Sequence, residues 1–246
     1  MHIYNKEFYE DQQGGSYTSA KEILPIVFHL THPKSIVDVG CGVGTWLNTC
    51  QELGVDDVLG LDGPYVSEEM LKIPVTKFKK TDLSKPVSIS RKFDLAMSLE
   101  VAEHLSEVDA ETFVESLVTL SSFVLFSAAI PLQGGHNHIN EQWQSYWADK
   151  FFARGYVAID CIRPVAWNTD SVEWWYAQNM LLFVKKDLLD VRTDLLELSQ
   201  STHVSQLNLV HPKNYERFSD ASRTSLLSVI LSLPKRIRQA FSGKGF

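Results

Sequence analysis

Apolar positions along this chain alternate between helical spacing and the short continuous runs of buried strands. Residues 17–30 have helical spacing, and Pro33 closes the segment. Residues 35–39 (SIVDV) form a β-branched run that opens into glycines. Helical spacing returns over 45–53 and stops at Gly54. Residues 58–61 and 93–98 read as strands, and 101–120 predicts one continuous helix. Residues 123–129 predict a buried strand closed by Pro131, and 143–154 a helix ended by Gly155. Two late strands are predicted at 157–163 and 180–185.

Strands alternating with helices of roughly 10–15 residues indicate βαβ units, a parallel sheet and right-handed crossovers. From residue 186 the pattern becomes Ser/Leu-rich and helical at best. The predicted division is an N-terminal cap over 1–34, an α/β domain over 35–185 and a C-terminal helical appendage over 186–246.

Composition narrows the class. The 246 residues carry 23 Lys+Arg against 30 Asp+Glu, a formal net charge of −7. That balance argues against a nucleic-acid-coating protein. Cys41, Cys50 and Cys161 are odd in number and widely spaced, which fits a reducing compartment better than a disulfide scaffold or thiolate zinc site. The polar start MHIYNKEFYEDQQ lacks a signal-peptide layout, and no apolar run approaches the ~18–20 residues that span a bilayer. The expectation is a cytoplasmic protein.

Val37-Asp38-Val39-Gly40-Cys41-Gly42-Val43-Gly44 lies between a predicted strand and helix. Glycines there permit a tight turn and close approach of a ligand to the backbone, and the helix start offers free N–H groups. The spacing G-x-G-x-G differs from the dinucleotide fingerprint G-x-G-x-x-G. A carboxylate at Asp38 suits a cationic group better than a pyrophosphate. Asp62 closes the next strand, where an acid can accept both ribose hydroxyls. Asp82, in Thr81-Asp82-Leu83, falls after the next candidate strand, ahead of 93–98, and could meet an adenine amine. Chance turn residues are the competing explanation, but three acids stand in register with three strand ends.

These residues resemble a class I S-adenosylmethionine (SAM)-dependent methyltransferase over residues 35–185. DVGCGVGTW resembles its first motif, GLDGPY its second and FDLAMSLEVAEHL its fourth. The resemblance implies a Rossmann-like seven-stranded sheet, mostly parallel with an antiparallel last strand and helices on both faces. It implies that Asp38, Gly40, Cys41, Gly42 and Gly44 hold the methionine part of SAM. It places Asp62 and Gly63 at the ribose, and Asp82, Leu83, Ser98 and Leu99 along the nucleoside, with Tyr9 and Tyr17 on a segment that closes over it. QGGHNHINEQWQSYWADKFFARGY and WWYAQNMLLFV resemble a bacterial subgroup that accompanies sugar, capsule or lipopolysaccharide biosynthesis. The implied acceptor is a small molecule or a carbohydrate-linked one, and the product is S-adenosylhomocysteine (SAH).

Glu100, Glu103 and His104 are spaced i, i+3, i+4 and would share one face of a helical turn. A divalent cation would relieve two such close carboxylates. The E-x-x-E-H pattern resembles small-RNA 2′-O-methyltransferases and ubiquinone-pathway O-methyltransferases, in which it serves a metal such as Mg²⁺ or Mn²⁺. His138 matches the further histidine of the RNA enzymes best, with His136 as the alternative. The expected metal set is Glu100, Glu103, His104 and His138. Metal-free general-base catalysis by His138 or His104, with Glu100, and a purely structural role both stay open.

Trp143, Trp147, Trp167, Trp174 and Trp175, with Tyr146 and Tyr176, cluster late and suit either an acceptor wall or core packing. The tail over 226–246 is apolar, then basic. It suits either weak contact with an anionic membrane face or docking on the domain or a partner. Three rival functions remain: an RNA 2′-O-methyltransferase, an NAD-dependent oxidoreductase and a non-catalytic SAM-fold scaffold.

Overall fold

A computed structural model describes the backbone of residues 6–219 and the side chains of 14–217. Its seven strands are β1 (Ser35–Val39), β2 (Asp57–Asp62), β3 (Phe78–Lys80), β4 (Leu95–Leu99), β5 (Phe123–Ser127), β6 (Tyr156–Ile159) and β7 (Leu181–Lys185). They form one sheet in the order β3-β2-β1-β4-β5-β7-β6. The first five run parallel. β7 inserts antiparallel between β5 and β6, so the last strand is the reversed one, as the resemblance implies.

Successive strand residues face opposite sides of a sheet. Ile36, Leu95, Met97, Leu125 and Leu182 accordingly join one core, beneath α1 (Lys6–Thr31) and α2 (Thr45–Glu52). Val37, Ala96, Val124, Phe126 and Phe183 join the other, beneath α3 (Ala110–Leu120) and α4 (Gln144–Phe152). Burial on both faces explains why these strands read as continuous apolar runs. In α1 the buried set Ala20, Ile23, Leu24, Val27 and Leu30 is the helical stripe seen in the sequence.

Two predicted elements need correction. The single helix over 101–120 is instead a 3-10 turn (Ala102–His104), a second (Glu107–Asp109) and then α3. The Glu103 carbonyl accepts the N–H groups of Ile139 (2.9 Å) and Asn140 (3.0 Å), so it does not serve a continuing helix. Leu105 and Ser106 are extended. The strand over 157–163 ends at Ile159, and Arg163 opens the short helix α5 (Arg163–Ala166).

The chain divides into two compact units, 1–209 and 210–246. In the first, α6 (Trp174–Asn179) leads into β7, and α7 (Thr193–Ser201) packs on β6 and buries Leu195. In the second, α8 (Pro212–Ser219) follows His211, whose Nδ1 accepts the Lys213 N–H. The tail over 226–246 lies outside the described residues. Among those described, no helix is long and apolar enough to cross a membrane.

Arg163 is buried and joins three segments of the first unit. It donates to both oxygens of Asp160 (2.9 and 2.7 Å), to the Leu207 carbonyl (2.6 Å) and to the Gln178 carbonyl (3.4 Å). Replacing Arg163 with Met takes this donor from Asp160 and the Leu207 carbonyl, while the Gln178 carbonyl keeps Gln144 Nε2. Urea unfolding is expected to show a loss of about 3–5 kcal/mol; a loss below about 1 kcal/mol would show that Arg163 is not the joint.

Candidate active site

The sheet order reverses between β1 and β4, and ligands bind at such a switch point in open α/β sheets. A cavity of about 550 Å³ opens there. Its floor is the glycine loop. Gly40, Gly42 and Gly44 have φ of +90°, +53° and +83°, a region that L side chains rarely adopt. A Cβ on Gly40 would also fall 2.3 Å from Val101 Cγ2. The Gly40 and Cys41 N–H groups donate to the Leu61 carbonyl (2.7 and 3.2 Å), which fixes the loop against the end of β2.

Asp38 and Asp62 are both buried at the cavity wall. Burial, and then the Asp62 charge, push the Asp38 carboxyl up to about 8. Burial also raises Asp62, opposed by the Tyr65 hydroxyl and two N–H groups. Asp62 accepts Gly42 N–H (2.6 Å) on one oxygen, and Gly63 N–H (2.6 Å) and the Tyr65 hydroxyl (2.5 Å) on the other. Asp82 lies exposed at the rim; Lys85 and Ser84 hold it down to about 2, so it is ionised. Burial, with Asp38 and Asp62, pushes the Cys41 thiol far up, so it has no nucleophilic character here.

Across the cavity, Glu100 follows β4 in the left-handed region, with φ +55°. This reversal separates it from the turn that carries Glu103 and His104. Asn179 donates to both Glu100 oxygens (3.1 and 3.2 Å), and Gln133 to one (3.1 Å). Burial raises the Glu100 carboxyl to about 7 against the pull of these donors.

Glu103, His104 and His138 converge, with one ligand atom from each within 4.8 Å of the others. Glu103 is fully buried, and nothing meets hydrogen-bond geometry at either carboxylate oxygen; burial, and then Glu100, raise its pKa against a pull from the Glu103 and Ala129 backbone N–H groups. His104 Nδ1 is likewise buried without a partner. Burial, and then His138, lower His104 to about 4, so it is neutral above that pH. Glu141 accepts the N–H groups of Leu132 and Gly134 and pairs with His138 Nδ1 at 2.9 Å. With Nδ1 engaged by Glu141, Nε2 is the ring nitrogen that faces Glu103 Oε1, at 4.0 Å. Two lone-pair donors facing each other across that gap fit a cation between them.

A family model described as a methyltransferase domain matches residues 13–180, more than half of the chain. The chain belongs to this methyltransferase family. It is 26% identical over 117 residues to the ubiquinone biosynthesis O-methyltransferase of Bartonella bacilliformis, a match spanning 45% of this chain and 43% of that protein. The chain therefore matches less than half the length of that curated relative. Among solved structures, DesVI of Streptomyces venezuelae superposes with a TM-score of 0.55 at 16% identity, over 72% of this chain and 95% of that one. The plantazolicin methyltransferase BpumL in complex with SAH superposes with a TM-score of 0.52 at 16% identity, over 74% and 88%.

Most residues expected at the methyltransferase site do line the cavity. Asp38, Gly40, Cys41, Gly42, Asp62 and Gly63 form one side. Asp82, Leu83, Leu99, Glu100 and His104 form the others. Four expectations need correction. Ser98 is fully buried and its hydroxyl is spent on the Val39 carbonyl (2.8 Å) inside the sheet, whereas Leu99, at the end of β4, lines the cavity. Gly44 caps α2 and packs on Ile73, so it shapes the loop without lining the cavity. Tyr17 donates to Glu52 (2.8 Å); Ser16, one position away on α1, lines the wall instead. Glu100 stands outside the Glu103–His104–His138 cluster, because the i, i+3, i+4 geometry needs a continuous helix that is absent. Of the two candidate histidines, His138 joins the cluster and His136 is exposed.

The late aromatics split. Trp175 and Tyr176 line the cavity, and Trp46 Nε1 donates to the Tyr176 hydroxyl (3.4 Å). Trp147 is buried against Phe126, whereas Trp143, just before α4, is partly exposed. The cavity roof joins distant segments: Ser16 pairs with the Tyr176 hydroxyl (3.2 Å), Ser19 accepts the Glu173 N–H (2.9 Å) and Ser171 donates to Glu22 (2.9 Å).

An acid whose pKa is raised on folding holds its proton more tightly in the folded chain. For Asp38 the associated stability is full below the unfolded value of about 4 and falls as pH rises toward about 8. The ligand-free protein should therefore lose stability from about pH 5 to 8. Asp38→Asn should flatten that slope by up to roughly 1.4 kcal/mol per pH unit. Urea titrations at several pH values test this, and an unchanged slope would show that Asp38 does not hold the proton.

Proposed function

We propose that the protein transfers a methyl group from SAM to a hydroxyl oxygen of a small or carbohydrate-linked acceptor, with a divalent cation held by Glu103, His104 and His138. The observation that carries the cofactor is the pair of buried carboxylates, Asp38 and Asp62, flanking a positive-φ glycine loop. SAH in the BpumL complex, on the same fold, supports this reading. The ubiquinone-pathway relative supports an oxygen acceptor. The motifs of the sugar and capsule subgroup support a carbohydrate-linked one.

Each group has a definable task. Asp38, which holds a proton in the ligand-free protein, would give it up to face the methionine ammonium as a buried carboxylate. Asp62 receives the ribose hydroxyls once the Tyr65 hydroxyl yields its place. Asp82, already ionised, and Leu83 flank the adenine. SAM supplies a methyl group already activated on a sulfonium, so the chain's work is alignment and exclusion of water. A divalent cation at the cluster supplies positive charge that lowers the pKa of the acceptor hydroxyl. Glu141 orients His138 for that site through Nδ1.

Two measurements test these parts separately. SAH should bind with micromolar affinity by titration calorimetry, and Asp62→Ala should weaken it at least tenfold, about 1.4 kcal/mol. Absence of binding by folded wild-type protein would remove the cofactor reading. Independently, Mn²⁺ should raise the melting temperature of the wild type and give a bound-ion signal by electron paramagnetic resonance. Both effects should be lost in His138→Ala; Mn²⁺ behaving identically with the two proteins would remove the metal site.

A further inference from the structure

Glu100 faces the cavity, yet it stands outside the metal-type cluster; its side-chain hydrogen bonds on the protein side all come from donors, and the nearby Glu103 carboxyl feels its charge. Asn179 Nδ2 reaches both oxygens and Gln133 Nε2 reaches one. The direction of these amides is fixed from behind. Gln133 Oε1 accepts from Ile130 N–H (3.2 Å), Gln178 Nε2 (2.9 Å) and Asn179 Nδ2 (2.9 Å). Gln178 Nε2 also donates to Asn179 Oδ1 (2.9 Å). Flipping Asn179 or Gln133 would set a carbonyl oxygen against the carboxylate and break this chain. All three amides are buried, so water does not replace a lost partner cheaply. The Glu100 backbone is tied as well, its N–H donating to the Ser127 carbonyl (3.0 Å) and hydroxyl (3.2 Å). A non-glycine residue held at φ +55° by so many partners is the kind of local strain that clusters at reacting centres. No Lys or Arg lines the described cavity, so no cationic side chain of the described residues neutralises Glu100 from the open side.

We propose that Glu100, aimed by Gln133 and Asn179, is the carboxylate that receives the acceptor's hydroxyl proton during methyl transfer. This inference rests on the methyltransferase function proposed above. As the oxygen–methyl bond forms, the methyl–sulfur bond breaks and its electron pair stays on sulfur, giving SAH. The acceptor's proton passes to Glu100. Gln133 and Asn179 are positioning residues: they hold the carboxylate as an acceptor of hydrogen bonds and direct its free side at the point of transfer.

Two cofactor analogues test this without the natural acceptor. SAH has no donor at the point of transfer, whereas sinefungin carries an amine on the carbon that replaces the methylsulfonium. The readout is the ratio of their affinities by calorimetry, so a loss common to both ligands cancels. Near pH 8 the wild type should favour sinefungin by about tenfold or more, the effect of one charge-assisted hydrogen bond. Glu100→Gln should bring the ratio close to one. Asn179→Leu removes donors to the carboxylate, so the preference should shrink and emerge only at higher pH. Should that variant fail to fold, Gln133→Met carries the same expectation. An unchanged ratio in a Glu100→Gln protein that still binds SAH would overturn the proposal, as would equal weakening of both ligands, which would place Glu100 at a group they share. A wild type that binds neither analogue would instead remove the cofactor reading itself.

Discussion

Desolvated negative charge governs this molecule. Asp38, Asp62 and Glu103 are buried and Glu100 is partly so, all at the carboxyl ends of β1, β2 and β4, and burial raises every one. A buried carboxylate survives only with hydrogen bonds, a proton or a cation. Each of the four uses a different combination. Asp62 has backbone N–H groups and a phenol, and Glu100 has amides. Asp38 keeps a proton at neutral pH, and the Glu103 oxygens have only the pull of two nearby backbone N–H groups that fall short of hydrogen-bond geometry. The positive-φ loop, the two N–H groups that claim the Glu103 carbonyl and the left-handed Glu100 are the backbone devices that set these acids where they are.

The sheet was largely legible in the sequence because its strands are buried on both faces. SIVDV and FVLFS are too apolar and too short to be anything else, and glycine or a turn follows where they end. The glycine loop was legible because its chemistry is written in consecutive residues, and the three acids because each stands at or just after the end of a strand. The turn after β4 was not. Residues 101–120 have good helical spacing, and only a tertiary contact, from Ile139 and Asn140 to the Glu103 carbonyl, diverts the chain. A sequence pattern contains no trace of a bond formed 36 residues away.

The same reason explains the misplaced ligands. Expecting Glu100 beside Glu103 and His104 followed from the helix, and the error propagated with it. Ser16 was missed because it lies in no motif, and Tyr65, Gln133 and Asn179 because they sit inside GLDGPY, QGGHNHINEQWQSYWADKFFARGY and WWYAQNMLLFV without any spacing that singles them out. One signal was present: Gln178 and Asn179 are amides at the entrance of the apolar run MLLFV, an expensive place for polar groups without an assigned partner. Trp143 and Trp147 carry a related lesson. Their i, i+4 spacing suggests one face, but Trp143 precedes the first turn of α4 and is partly exposed while Trp147 enters the core.

The roof of the cavity has a consequence for the order in which the protein can be made. Ser16–Tyr176, Ser19–Glu173 and Glu22–Ser171 join residues between 149 and 160 positions apart. A ribosome that has finished β1, the glycine loop and β2 has produced Asp38 and Asp62, yet nothing covers them. The covering wall does not exist until residue 176 has emerged. During synthesis the nascent sheet therefore carries its buried charges open to water, and their desolvation is deferred to one of the last long-range steps of folding, the kind of step that limits the rate when contacts lie far apart in sequence.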